Sequence, residues 1–95
     1  MLLAIKVVIA DDHPLIREGL RRILSLVPDV VIAGEAESGE QAVELTRRTG
    51  ADVVLLDVNM PGMNGITACK LIKAEMPGTK VIALTIHDQE NIYLS

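Results

Sequence analysis

Hydrophobic and polar positions divide the chain into runs of two kinds. Four short aliphatic runs, Ala4 to Ala10, Val30 to Ala36, Val53 to Asp57 and Lys80 to Thr85, are rich in β-branched residues and nearly continuous. Strands covered on both faces read this way, because neither face needs a polar alternate. The segments between them have helical spacing. From Pro14 to Val27 the apolar positions Leu15, Ile16, Leu20, Ile23, Leu24 and Val27 form one stripe, with Pro14 suited to a first helical turn. A second helix is predicted from Ser38 to Arg48, opening on the capping-box pattern Ser38-Gly39-Glu40-Gln41 and stopping at Gly50. A third, from about Gly65 to Met76, would bury Ile66, Cys69, Ile72 and Met76 and end before Pro77-Gly78. Strand and helix alternate through the fourth strand and leave a short tail with room to start a fourth helix. Such alternation predicts an α/β domain with a parallel sheet and helices on both faces.

Ninety-five residues suffice for one domain with a modest core, and no linker, repeat or low-complexity tract suggests a second. The chain is 49% hydrophobic with a single aromatic residue, Tyr93, so the core is expected to be aliphatic. A net charge of -4 argues against direct nucleic-acid binding, which needs a surplus of Lys and Arg on one face. The doublets Arg21-Arg22 and Arg47-Arg48 read as solvated helix faces. Cys69 is alone, which excludes an internal disulfide and suits a reducing, cytoplasmic setting. The apolar start runs into two Asp residues without a basic n-region and reads as a strand, and no other segment has transmembrane length.

Candidate chemistry collects where the strands end. In open parallel sheets, functional groups gather at the carboxyl ends of strands, near the point where strand order reverses. Here the first strand ends in Asp11-Asp12, the third in Asp57 and the fourth in Thr85. If the first and third strands are neighbours, three carboxylates and a hydroxyl share one pocket. Two unit charges about 4 Å apart repel by roughly 4 kcal/mol at an effective dielectric of 20, so three bare carboxylates would not coexist. Either one keeps its proton or a cation sits among them, and clustered hard oxygens suit Mg²⁺. Taken singly the residues are less telling, since Asp12 also suits a helix cap, Asp57 a turn and Thr85 any strand.

Taken together, "IADDHPLIREGLRRIL", "LLDVNMPGMNG" and "VIALTIHD" resemble the receiver domain of bacterial two-component response regulators, with the first segment closest to the NarL/FixJ (LuxR-type) branch. The resemblance runs from about Lys6 to the end of the chain. It implies a flavodoxin-like, doubly wound sheet of strand order 2-1-3-4, with the family's fifth strand and fifth helix missing and no output domain. It implies Asp57 as the phosphoacceptor, Asp11 and Asp12 as the acidic pair that holds Mg²⁺ with Asp57 and the Asn59 backbone carbonyl, and Thr85 as the switch hydroxyl. His87 matches a position near the phosphoryl group. The implied partner is a sensor histidine kinase, with small phosphodonors as substitutes, and the implied role is a signalling domain that assists its own phosphotransfer and dephosphorylation. No membrane contact is implied. In the family this event controls a DNA-binding output domain.

The family pattern continues through a Lys and an aromatic switch residue that this chain does not supply, since no Lys follows Lys80 and Tyr93 comes too early. A complete domain of this type has on the order of 120 residues. Without its fifth strand, the fourth would present an open edge, and self-association through that edge is expected. Two other functions compete. One is a truncated, non-switching receiver acting as an interaction or dimerisation module, indifferent to Asp57→Ala. The other is a Mg²⁺-dependent phosphohydrolase on a related fold, which would require a second strand-end Asp and a substrate cap that the sequence does not provide.

Overall fold

A computed structural model describes residues 4–60, 62–86 and 92–94. The parallel strands β1 (Ile5–Ala10), β2 (Val30–Ala36), β3 (Val53–Asp57) and β4 (Lys80–Ile86) alternate with helices α1 (Pro14–Leu24), α2 (Gly39–Thr49) and α3 (Gly65–Glu75). The sheet order is β2-β1-β3-β4 followed by a short strand β5 (Ile92–Leu94), which runs antiparallel to β4. The expected order 2-1-3-4 is therefore observed, with a fifth strand beside it. The tail has a strand where a fourth helix was expected. Leu84, Thr85 and Ile86 pair with Leu94, Tyr93 and Ile92, so this half of the β4 edge is not open. The expectation of self-association through it loses its physical basis there.

The strand ends are set by register. Ala10 pairs with Leu56 across β1 and β3, which brings the next residues, Asp11 and Asp57, to the same edge of the sheet. Asp57 in turn pairs with Leu84, one residue before Thr85. Thr85 therefore stands at the expected strand end, while its side chain and all of His87 lie outside the described residues. β1 and β2 slip register at Val7/Val8, where Ala33 is the extra residue of a bulge.

The helices begin and end for local reasons. Ser38 caps α2 by accepting a hydrogen bond from Gln41 N, and Gly50 ends it in the left-handed conformation at φ 64°. Asn64 caps α3 by accepting from Thr67 N. α1 starts at Pro14 with His13 as its cap residue and no side-chain cap bond, so Asp12 is not serving as a cap. It stops three residues earlier than predicted, because Pro28 lies ahead and the chain tightens through Leu26 N→Ile23 O and Val27 N→Leu24 O bonds.

One face of the sheet carries the core. Val8, Ala10, Ala36, Val54 and Leu56 pack against Ala42 and Val43 of α2 and Ala68 and Ile72 of α3. α3 faces the sheet with Gly65, Ala68 and Ile72, whereas Ile66, predicted to be buried, is 59% exposed. The reason is a close approach: a Cβ at Gly65 would collide with Val58 Cα and Asp57 O, so the helix turns its smallest residue toward the strand. Cys69 and Met76 are half-buried and pack against the core rim.

The other face is thinner. α1 lies against β1 and β2, where Val7 and Ile9 are buried, but no α1 residue is itself buried. Leu15 and Ile23, both members of the apolar stripe, are 81% and 62% exposed. α1 is tied to the sheet by charge, with Arg17 Nε 3.2 Å and Arg21 Nη1 2.6 Å from the two carboxylate oxygens of Glu35 on β2. Arg22 and Arg47 pair with surface acids, in keeping with solvated helix faces.

Candidate functional site

Asp11, Asp12 and Asp57 meet at the carboxyl ends of β1 and β3, as the strand-end rule anticipated. With His13 they form a group whose ligand-type atoms all lie within 4.8 Å of one another. Asp11 is fully buried and Asp57 is 8% exposed, so the carboxylates are fixed by the strands that carry them. Asp11 N is held by the carbonyl of Ala36 on β2 at 3.0 Å, and Arg17 Nη1 donates to the Asp11 carbonyl at 2.6 Å. Both backbone groups of Asp11 thus have partners, which leaves its side chain aimed into the cluster.

His13 is the residue that sequence reasoning passed over. Its backbone N–H and its ring Nδ1 both reach Asp11 Oδ1, at 2.7 and 2.8 Å. The same Nδ1 is 3.1 Å from Asp12 Oδ1 and 3.8 Å from Asp57 Oδ2. With one proton on Nδ1 and that proton directed at Asp11, Asp12 Oδ1 gains charge proximity but no hydrogen bond. It is buried without a hydrogen-bond partner among the described residues. The signal that could have found His13 is its position directly after two strand-end acids, where the turn into α1 folds its ring back over them. Arg17, which donates to the Asp11 carbonyl, was likewise passed over.

The electrostatics match the crowding. Burial, first, and the neighbouring charges of Asp11 and Asp12 push the Asp57 carboxyl above the usual carboxylate range, against the Asn59 N–H and His13, which favour the charged form. The hydrogen bond to Asp11, followed by the charges of Asp12 and Asp11, holds the His13 imidazole above its ordinary value. A positive group is what this cluster favours. Three carboxylates supplying hard oxygens, one of them an orphaned buried acceptor, fit a hard divalent cation.

Around Asp57 the loop is tight. Asn59 N donates to Asp57 Oδ1 at 2.9 Å, and Gly65 N donates to the carbonyl of Val58 at 3.1 Å. Oδ2 has no hydrogen bond among the described residues, and Asp57 lines a cleft of about 290 Å³ with His13, Ile16 and Asn59.

The response regulator receiver domain family matches residues 7–94. The chain belongs to this family. Regulators of the NarL/LuxR type are among its relatives. It is 45% identical over 87 residues to the transcriptional regulatory protein DegU of Brevibacillus brevis, an alignment that spans 92% of this chain and 37% of that protein. It is 34% identical over 84 residues to the nitrate/nitrite response regulator NarL of Escherichia coli K12, spanning 88% of this chain and 39% of the relative. The receiver chain thus spans well under half the length of these regulators. Among solved structures it resembles the signal receiver domain of a NarL response regulator from Mycobacterium tuberculosis, with a TM-score of 0.85, 41% identity and coverage of 92% of this chain and 70% of that one. The isolated receiver domain of RcsB from Salmonella enterica serovar Typhimurium, determined with the phosphomimetic BeF3-, is similar at a TM-score of 0.83 and 34% identity, covering 90% of this chain and 64% of that one. The chain accordingly carries a signalling domain of two-component response regulators. Among the described residues, no helix is long and apolar enough to cross a membrane.

Proposed function

We propose that this receiver accepts a phosphoryl group on Asp57 and that Asp11, Asp12, Asp57 and the Asn59 backbone carbonyl hold Mg²⁺ while it does so. The observation that carries this reading is the convergence of three carboxylates at two hydrogen-bonded strand ends, with Asp12 Oδ1 buried and unpartnered. Bound Mg²⁺ would supply charge neutralisation between the carboxylates and a phosphoryl oxygen.

The chain's own residues account for the rest of the chemistry. Asp57 Oδ1 is engaged by the Asn59 N–H, which leaves Oδ2 as the attacking oxygen at the cleft. A new bond forms between Oδ2 and phosphorus as the bond from phosphorus to the donor breaks. The electron pair leaves with the imidazole of a kinase phosphohistidine or with the acetate of acetyl phosphate. The raised pKa of Asp57 marks a carboxylate that gains from charge neutralisation, so neighbouring positive charge favours its reactive, ionised form. Thr85, at the end of the adjoining strand, is the proposed switch hydroxyl that engages the new phosphoryl oxygens, and His87 is proposed to lie near them. A sensor histidine kinase is the proposed donor, in the cytoplasm, and transcription control through a DNA-binding output domain is the proposed outcome. The curated relatives that carry the name of transcriptional regulator support this reading.

The test is intact-mass analysis after incubation with Mg²⁺ and acetyl phosphate, beside Asp57→Asn. One phosphoryl adduct, dependent on Mg²⁺ and lost in the variant, is expected. Absence of the adduct on a folded chain would favour the second reading, a non-switching interaction module, to which the exposed Leu15, Ile23 and Leu26 of the α1 region lend support.

A further inference from the structure

We infer that Glu40 is a positioning residue for phosphoryl transfer, its carboxylate tethering the loop that follows Asp57 to the first turn of α2. This inference rests on the assignment of Asp57 as phosphoacceptor. The loop between β3 and α3 carries Asn59, and its bonds Asn59 N→Asp57 Oδ1 and Gly65 N→Val58 O are both local. Glu40 adds a restraint from a separate element, accepting the Met63 N–H on Oε2 at 3.1 Å.

The local sequence of α2 makes this possible. Gln41, and not Glu40, turns back at the cap, its Oε1 accepting the Glu37 N–H at 2.8 Å while its own N–H is taken by Ser38 Oγ. Glu40 is thereby released from capping and reaches across to the loop. The backbones also close together at this point, since a Cβ at Gly39 would collide with the Met63 carbonyl. Gly62, at φ 73°, brings the chain against the Glu40 carboxylate, with both oxygens within 3.1 Å of where its Cβ would stand. Glycines at both contact points let α2 and the loop meet backbone to backbone, and Glu40 fixes their registration. An acid in the first turn of α2 is also well placed against the positive end of the helix dipole.

The consequence is for chemistry more than for stability. In-line attack by Asp57 depends on the positions of Oδ2 and the Asn59 carbonyl, and a misplacement of about 1 Å can cost on the order of 10²-fold in rate. One exposed hydrogen bond contributes little to folding, yet it restricts a loop on which the reacting oxygen depends.

The test compares the chain with Glu40→Ala and Glu40→Gln, since an amide oxygen can still accept the Met63 N–H. Amide hydrogen exchange at Met63 is read without Mg²⁺, and the rate of adduct formation is read with saturating acetyl phosphate and Mg²⁺. In Glu40→Ala, exchange at Met63 is expected to accelerate by about tenfold, the factor one net hydrogen bond carries. Adduct formation is expected to slow by about the same factor. Glu40→Gln is expected to restore both to within about threefold of the parent, because it keeps the acceptor and loses only the charge. A purely structural role would lower the melting temperature of Glu40→Ala and leave the transfer rate at saturating donor unmoved, which would overturn the inference. Equal damage in both variants would also overturn it, by tracing the effect to charge. If the parent chain takes no phosphoryl group, the assignment of Asp57 fails, and Met63 exchange in the two variants still decides whether the tether exists.

Discussion

The two faces of the sheet solve the same problem unequally. On the side of α2 and α3, alternate residues of β1, β3 and β2 interlock with small and branched side chains of two helices, and Val8, Val54, Leu56 and Ile72 have no exposure. On the side of α1 one helix meets the sheet among the described residues, none of its residues is buried, and its polar ties are Arg17 and Arg21 to Glu35 and Arg17 to the Asp11 carbonyl. The acidic site therefore does not need both faces equally. Asp11 and Asp57 are held from the packed side by strand registration, whereas α1 contributes mainly Arg17 and the turn that delivers His13.

The widest separation between the faces should appear on truncation of buried and exposed residues. Ile72→Ala is expected to destabilise the fold by about 2–5 kcal/mol in urea denaturation, as removal of a fully buried aliphatic side chain does. A loss below about 1 kcal/mol would mean that the packed face can collapse around the gap. Next in size is Arg17→Ala, expected to cost about 1.5–3 kcal/mol because it removes a charged hydrogen bond to the Asp11 carbonyl as well as the pairing with Glu35. Were it neutral, α1 would be held by apolar contact and the contrast between the faces would weaken.

A smaller effect of opposite sign is expected at the site. Folding raises the Asp57 pKa, so the ionised carboxylate disfavours the native state, and this penalty grows as pH rises above the unfolded carboxylate value. Asp57→Asn should therefore raise the melting temperature of the metal-free chain at pH 7, with a gain that shrinks as the pH is lowered. A fall in melting temperature would show that the carboxylate makes a favourable contact beyond the Asn59 N–H. The smallest effect belongs to Leu15→Gln, expected within about 0.5 kcal/mol of the parent because the side chain is already in water.

The strands were legible from sequence because burial on both sides leaves a continuous aliphatic run, and the acids that follow or end them, Asp11, Asp12 and Asp57, announced the site. Rotation of α3 was not legible. Hydrophobicity favoured Ile66, while the structure turns Gly65 and Ala68 inward, since the closeness of Asp57 and Val58 rewards small size over apolar area. The α1 stripe was legible as a stripe, but the extent of its cover was not, because periodicity states which side of a helix seeks cover and not whether cover is present. His13 escaped notice because its importance comes from a backbone turn that folds the ring over Asp11, and residue type alone carries no trace of that geometry.

The pairing of Ala10 with Leu56 has a consequence for how the domain assembles. Parallel neighbours require a long crossover, so this contact joins segments far apart in the chain and forms only once much of the fold is in place. The acid cluster therefore has no counterpart in the unfolded ensemble. A cation that binds it at a hundred times its dissociation constant would add about 2.7 kcal/mol to global stability, slowing exchange of the deepest amides and not only those of a loop. Occupancy of the site could then be followed from anywhere in the central sheet.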